Sequence, residues 1–181
     1  MAGEQAQLYS KIPESSTAKI VGLISDTHIP VRARNLPKRV FEVFERADYI
    51  LHAGDLVDLS VIDDLEQLAP VLAVCGNMDG PNIRGKLPKT NSLKIFDWKI
   101  GITHDPGALF GIKKMVDIAK KNNFDALVYG HTHNSAVKWE ENILFVNPGS
   151  PTNPIPPFVT KPTVALLRIT KEKIVPDIIQ I

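Results

Sequence analysis

Five apolar stretches of this chain each run straight into a short polar block, and together the blocks hold seven side chains able to ligate a metal. The blocks are Asp26-Thr27-His28, Gly54-Asp55, Gly76-Asn77, Thr103-His104 and Gly130-His131-Thr132-His133. Four of the five histidines lie inside them. In open α/β sheets, ligands bind outside the carboxyl ends of the strands. Convergence of the five ends on one edge is the simplest account of the pattern. The fold must therefore be one that gathers successive strand ends.

The apolar stretches support that reading. Residues 19–25 are short, β-branched and nearly all apolar, as a strand buried on both faces should be. A helix is expected over 36–47, where Val40, Phe41, Val43 and Phe44 form an apolar stripe and Pro37 suits the first turn. A strand over 48–53, a short helix over 59–68 and a strand over 70–75 follow. Strand, helix, strand, helix, strand implies right-handed crossovers and a parallel sheet. Residues 79–90 read as a loop broken by Gly80-Pro81 and Leu87-Pro88. A hairpin around Asp97 (93–96 with 98–103), a helix over 109–122 and a buried strand over 125–129 come next. The remainder is β-rich, with strands at 136–139, 143–146, 163–169 and 174–179. Residues 147–162 hold six prolines and read as a rigid loop. Glycines 54, 76 and 130 allow tight turns and close backbone approach beside a crowded site.

Composition narrows the class. A chain of 181 residues with 44% apolar content is long enough for one packed domain. Residues 1–18 are polar, lack a signal-peptide pattern and read as an extension, leaving 19–181 as the domain. The net charge of +1 argues against a general nucleic-acid or anionic-membrane binder. No apolar run approaches the roughly 20 residues that span a bilayer. Cys75 is the only cysteine, so no intrachain disulfide forms, and its apolar setting suits a buried thiol. A cytoplasmic protein fits these features.

Taken singly, the blocks differ in weight. Gly-Asp and Gly-Asn are common turns, and His104 alone suits a core histidine. Asp26 and His28 are two apart, as are His131 and His133, so on extended backbone each pair points the same way. Two carboxylates, an amide oxygen and four imidazoles suit a pair of divalent transition metals. Mixed nitrogen and oxygen ligands suit manganese, iron, nickel or zinc, whereas calcium and magnesium prefer all-oxygen sites; manganese is the expected metal.

The order Asp-x-His, Gly-Asp-x-x-Asp, Gly-Asn-x-Asp, Thr-His, Gly-His-Thr-His, Asn-Pro-Gly-Ser resembles the calcineurin-like metallophosphoesterases, most of all the small YfcE-type subgroup. The match runs from about residue 19 to the C-terminus. The resemblance implies a four-layer α/β/β/α sandwich of two mixed sheets. It implies one metal on Asp26, His28, Asp55 and His133, and a second on Asp55, Asn77, His104 and His131, with Asp55 bridging. The activity implied is phosphodiester hydrolysis, a bridging hydroxide attacking phosphorus in line. Two divalent cations, two aspartates and one hydroxide leave about one positive charge to meet a phosphodiester monoanion.

Two positions depart from the family pattern. Many relatives place a histidine where this chain has Met78, and many read Thr-His-Gly-His where it has His104-Asp105-Pro106-Gly107. Neither place supplies an imidazole acid, which leaves Asp79 and Asp105 as candidates beside the catalytic Asp55 and Asn77. Asp58 reads as a brace for its loop or for a ligand histidine, and His52 as a core or supporting residue. Asn147-Pro148-Gly149-Ser150 resembles the family's last motif and is expected to border the site. His28-Ile29-Pro30 with Leu36-Pro37 also resembles the phosphoesterase-fold subunit of retromer, which implies a scaffold role as the alternative. A small phosphodiester is the expected partner, and self-association stays open.

Overall fold

The computed structural model describes residues 18–152 and 161–181. The expected extension at 1–17 and the middle of the proline-rich loop, 153–160, lie outside the described residues.

β1 (Lys19–Ile24) shows why its sequence is apolar without alternation. Val21 and Leu23 face one apolar cluster, and Ile24 faces another on the opposite side. α1 (Lys38–Phe44) buries Val40 and Phe44 on that second side. β2 (Tyr49–His52), α2 (Ser60–Glu66) and β3 (Val71–Ala73) repeat the unit. The three strands are adjacent and parallel, as the strand-helix alternation predicts.

A short α3 (Pro81–Arg84) interrupts the stretch expected to be loop. Pro81 opens its first turn, where the missing N–H costs nothing, and Gly85 ends it. β4 (Thr90–Ile95) and β5 (Trp98–Thr103) form the expected hairpin, with β4 starting earlier than its apolar residues suggested. The helix expected from residue 109 begins instead at Ile112. Ala108–Phe110 is a separate 3₁₀ turn, and Gly111 at φ 100° breaks the path into α4 (Ile112–Asn122). The remaining strands are β6 (Ala126–Val128), β7 (Ala136–Glu140), β8 (Ile143–Asn147), β9 (Thr163–Ile169) and β10 (Ile174–Gln180).

These make two five-stranded mixed sheets, ordered β10-β9-β1-β2-β3 and β4-β5-β6-β8-β7. A central cluster draws Val21, Leu51, Ala165 and Leu167 from the first sheet, and Ile100, Val128, Leu144 and Val146 from the second. A second cluster seats α1 and α2 on the first sheet, and a third seats α4 on the second through Met115, Val116, Leu127 and Phe145. The result is the expected four-layer α/β/β/α sandwich. Seven-residue helices have almost no independent stability, whereas each buried Val, Leu, Ile or Phe contributes about 1.5–3 kcal/mol. Burial between layers therefore holds these elements, rather than their intrinsic propensity.

Phe44 is the plainest case. Its ring occupies the place where a Cβ on Gly22 would come within 2.9 Å, so β1 and α1 interlock there. Phe44→Ala should destabilise the fold by about 3–5 kcal/mol in urea unfolding. A loss below about 1 kcal/mol would show that the helix layer collapses into the gap.

Candidate metal centre

All five blocks leave the carboxyl ends of parallel strands. Three follow β1, β2 and β3, neighbours in one sheet, and two follow β5 and β6, neighbours in the other. Backbone pairing continues past the strands: Asp26 N–H donates to Gly54 O (3.0 Å), His28 N–H to Asp55 O (3.0 Å) and Gly130 N–H to His104 O (3.0 Å).

The backbone at these residues is not extended. Asp26, His28, Asp55, His131 and His133 all have left-handed φ, at 54°, 46°, 56°, 70° and 56°. The period-2 argument for each pair therefore fails. Asp26 and His28 still approach one another, Oδ1 to Nε2 at 4.0 Å. His131 and His133 separate, one beside Asn77 and the other beside Asp26. Left-handed non-glycine residues cost of order 1–3 kcal/mol each, so something must hold them. The Asn147–Ser150 loop is part of the answer. Ser150 Oγ donates to Asp26 O (2.7 Å), Thr152 Oγ1 to Thr27 O (2.6 Å), and Asn147 Nδ2 to Gly130 O (3.0 Å).

The ligand atoms form two groups. In one, His133 Nε2 lies 3.3 Å from both Asp26 Oδ1 and His28 Nε2. In the other, Asn77 Oδ1 lies 2.9 Å from His104 Nε2 and 2.9 Å from His131 Nδ1. Asp55 Oδ2 stands between them, 3.7 Å from His28 Nε2 and 3.3 Å from His104 Nε2. Neighbouring ligands about 2.1 Å from a common metal sit about 3 Å apart, so these spacings fit cation coordination. Asp26, His28 and His133 form one cluster with the spacing of a metal site, and Asp26, Asp55 and His104 another. Asp26, His28, Asp55, His104 and His133 are buried, while Asn77 is exposed and His131 half-exposed. The centre therefore opens on the Asn77 and His131 side.

Close approach explains two glycines. A Cβ at Gly76 would come 2.1 Å from Asp55 Oδ1, and one at Gly54 would come 2.8 Å from the His104 ring. Ala53 O accepts from His104 Nδ1–H at 2.8 Å, which turns Nε2 toward Asp55 and Asn77. Met78 N–H donates to Asp55 Oδ1 at 2.7 Å, so that oxygen is committed and Oδ2 is left for the centre.

Without metal, the buried charges balance one another. Burial pushes the Asp26 carboxyl up, against the downward pull of His104 and His133. Burial draws the His28 imidazole down. Burial would lower His104 too, but its hydrogen bond to Asp55 and the charges of Asp26 and Asp55 raise it. For Asp55, burial is outweighed by His104 and the Met78 N–H, and the carboxyl falls below its ordinary range. A metal ligated by His104 would therefore compete with a proton held more firmly than on a free imidazole.

The supporting residues divide clearly. His52 is fully buried and takes Gly54 N–H on Nδ1 (3.2 Å), with Nε2 against Thr27 Oγ1 (3.1 Å). Burial holds its pKa down to about 3, so it is a neutral prop beneath the two turns. Asp58 is exposed and accepts Ser60 N–H at the start of α2 (2.8 Å), so it braces its own loop. Asp79 does not suit the acid role expected of it. It is buried, and its oxygens accept N–H groups from Asp55 (3.1 Å), Val57 (2.7 Å) and Gly76 (2.7 Å). It ties the second and third blocks together. Asp105 is exposed and lines a cavity with His104 and His131, and the Met78 side chain is exposed. The motif that ends at Ser150 was expected to border the site, and Ser150 does brace the first block; sequence reasoning missed Thr152, because a hydroxyl in a proline-rich loop carries no distinctive spacing.

The model of the calcineurin-like phosphoesterase superfamily domain matches residues 20–172. The chain belongs to that family. It is 38% identical over 162 residues to a probable metallophosphoesterase of Methanothermobacter thermautotrophicus, covering 89% of this chain and 92% of that protein. It is 32% identical over 146 residues to a phosphodiesterase of Methanocaldococcus jannaschii, covering 71% and 82%. Its fold matches the structure of vacuolar protein sorting 29 from Cryptosporidium parvum with a TM-score of 0.81 at 24% identity, over 92% of this chain and 93% of that one. Family membership implies divalent metal, and the donor set and its spacing fit it. Among the described residues no helix is long and apolar enough to cross a membrane.

Because His104 binds its proton above the ordinary imidazole range, competition between proton and metal begins at a higher pH than for a free imidazole. Apparent manganese affinity should fall as pH drops from 8 to 6, with proton release on binding in titration calorimetry. Chelation should lower the melting temperature, because at a hundredfold excess over Kd the metal adds about 2.7 kcal/mol to the native state. Affinity independent of pH, or equal melting curves with and without metal, would contradict the assignment.

Proposed function

We propose that this chain is a metal-dependent phosphodiesterase whose ligands hold two divalent transition-metal ions sharing Asp55. The observation that carries the proposal is the position of Asp55 Oδ2 between the His28 and His104 nitrogens, at 3.7 and 3.3 Å. Manganese, nickel, iron and zinc all suit these mixed nitrogen and oxygen donors, and manganese is the ion we propose. Bound there, such ions supply Lewis acidity and an ionised water as nucleophile near neutral pH. The phosphodiesterase relative supports the diester as the substrate class.

The chain's own residues supply the rest. Asp26, His28, His133, Asp55 and His104 form a buried floor from which bulk water is excluded. Asn77 and His131 form the open rim, where a phosphate enters. The Ala53 carbonyl and the Met78 N–H fix the facing atoms of His104 and Asp55 before substrate arrives. With Asp79 committed to backbone, Asp105 is the remaining carboxyl beside the opening and our candidate for proton delivery to the leaving oxygen. No imidazole stands at 78 or 106 to share that task, so little general-acid assistance is expected.

Asp55→Asn should cut diester turnover by more than about 10²-fold while the circular dichroism spectrum persists. If manganese-loaded wild type hydrolyses no activated diester faster than this variant, the alternative scaffold role replaces the enzyme. General-acid assistance is worth about 10²–10⁴-fold and matters most for basic leaving groups. Nitrophenyl diesters should therefore be cleaved well and alkyl diesters poorly. A flat dependence of rate on leaving-group pKa would show that an effective acid is present.

A further inference from the structure

On the open side of the centre lies a cavity of about 510 Å³. Asn77, His104 and His131 form one wall, and Arg84, Lys89 and Asp105 line it as well. The catalytic account uses neither cation. Both sit on anchored backbone. Arg84 ends the one-turn α3, and its Nη2 donates to Asn77 O at 2.6 Å, which ties the guanidinium to a ligand residue. Lys89 is held on both sides: Cys75 N–H donates to Pro88 O (2.9 Å), and Thr103 Oγ1 to Lys89 O (3.3 Å). Among the described residues neither cation is in an ion pair with a carboxylate.

Three properties of the cavity select its occupant. Its volume lies within the roughly 300–1,000 Å³ that takes a nucleotide-sized group. Among the described residues that line it, two cations stand against the one carboxylate of Asp105, which makes that lining net positive. Among the described residues no Phe, Tyr or Trp lines it, so that lining offers no platform for stacking a base. A neutral substrate arm gains nothing from two unpaired cations. A phosphate gains charge-assisted hydrogen bonds from both, and the planar guanidinium can meet it with two donors.

Building on the phosphodiesterase reading, we propose that the substrate is a phosphodiester carrying a second phosphate on its non-leaving arm, held in this cavity by Arg84 and Lys89. The cavity then acts as a ruler. The scissile phosphate sits at the Asn77 and His131 rim while the second phosphate fixes which ester oxygen faces Asp105.

The test compares thymidine 5′-(4-nitrophenyl phosphate) with the same ester phosphorylated at the 3′ oxygen. KM is measured for both on the manganese-loaded protein. In parallel, calorimetry measures Kd for thymidine 5′-phosphate and thymidine 3′,5′-bisphosphate. The added phosphate should lower both KM and Kd by about tenfold or more in wild type. Lys89→Gln, which breaks no side-chain hydrogen bond or ion pair among the described residues, should shrink both ratios, and adding Arg84→Gln should bring them near one. Ratios near one in wild type overturn the proposal, as do ratios that persist in the double variant. If neither ester is cleaved yet the bisphosphate is preferred and the double variant loses that preference, the phosphodiesterase reading fails and the anion site stands.

Discussion

The two oxygens of Asp55 have different partners, and the centre is built around that division. Oδ1 accepts the Met78 N–H, and Oδ2 is left facing His28 from one sheet and His104 from the other. A carboxylate shared in this way needs β2, which carries it, to lie beside both β1 and β3. It also needs the third block to pass over it without a side chain, which is what Gly76 provides at a contact no Cβ could make. Asp79 then locks the arrangement by accepting N–H groups from both blocks.

Strain and bracing are paired throughout the site. Five of the ligand residues hold left-handed backbone, which no isolated strand end would choose. Cross-block backbone bonds and the hydroxyls of Ser150 and Thr152 keep them there. The sandwich core offsets the remaining cost by burying large apolar side chains on both faces of both sheets. The candidate ligands are thereby held together by the protein alone, and a metal at His104 would compete with a proton bound more firmly than on a free imidazole.

Much of this could be read from residue order. Continuous apolar strands alternating with helical stripes gave the parallel β1-β2-β3 unit, and the polar blocks at strand ends gave the edge where the ligands meet. What could not be read depends on local backbone or on distant contacts. Period-2 reasoning took Asp26-Thr27-His28 and His131-Thr132-His133 as extended, and the structure has left-handed turns that divide the second pair. Asp79 sits in the same motif whether it donates a proton or accepts three N–H bonds; only the fold decides, and it makes the residue a brace. Gly111 divided a stretch whose apolar spacing suggested one helix. Arg84 and Lys89 carried no motif at all, and they become legible only because α3 and the start of β4 place them on one cavity.

The central claim is that Asp55 joins two metal ions, and low-temperature electron paramagnetic resonance of the manganese-loaded protein addresses it most directly. With metal content measured in parallel, the account predicts a pair of ions per chain and the spectrum of spin-coupled manganese. Asp55→Asn should abolish the coupling. At most one tightly held ion at saturation, or a pair giving only the spectrum of isolated manganese, would contradict it.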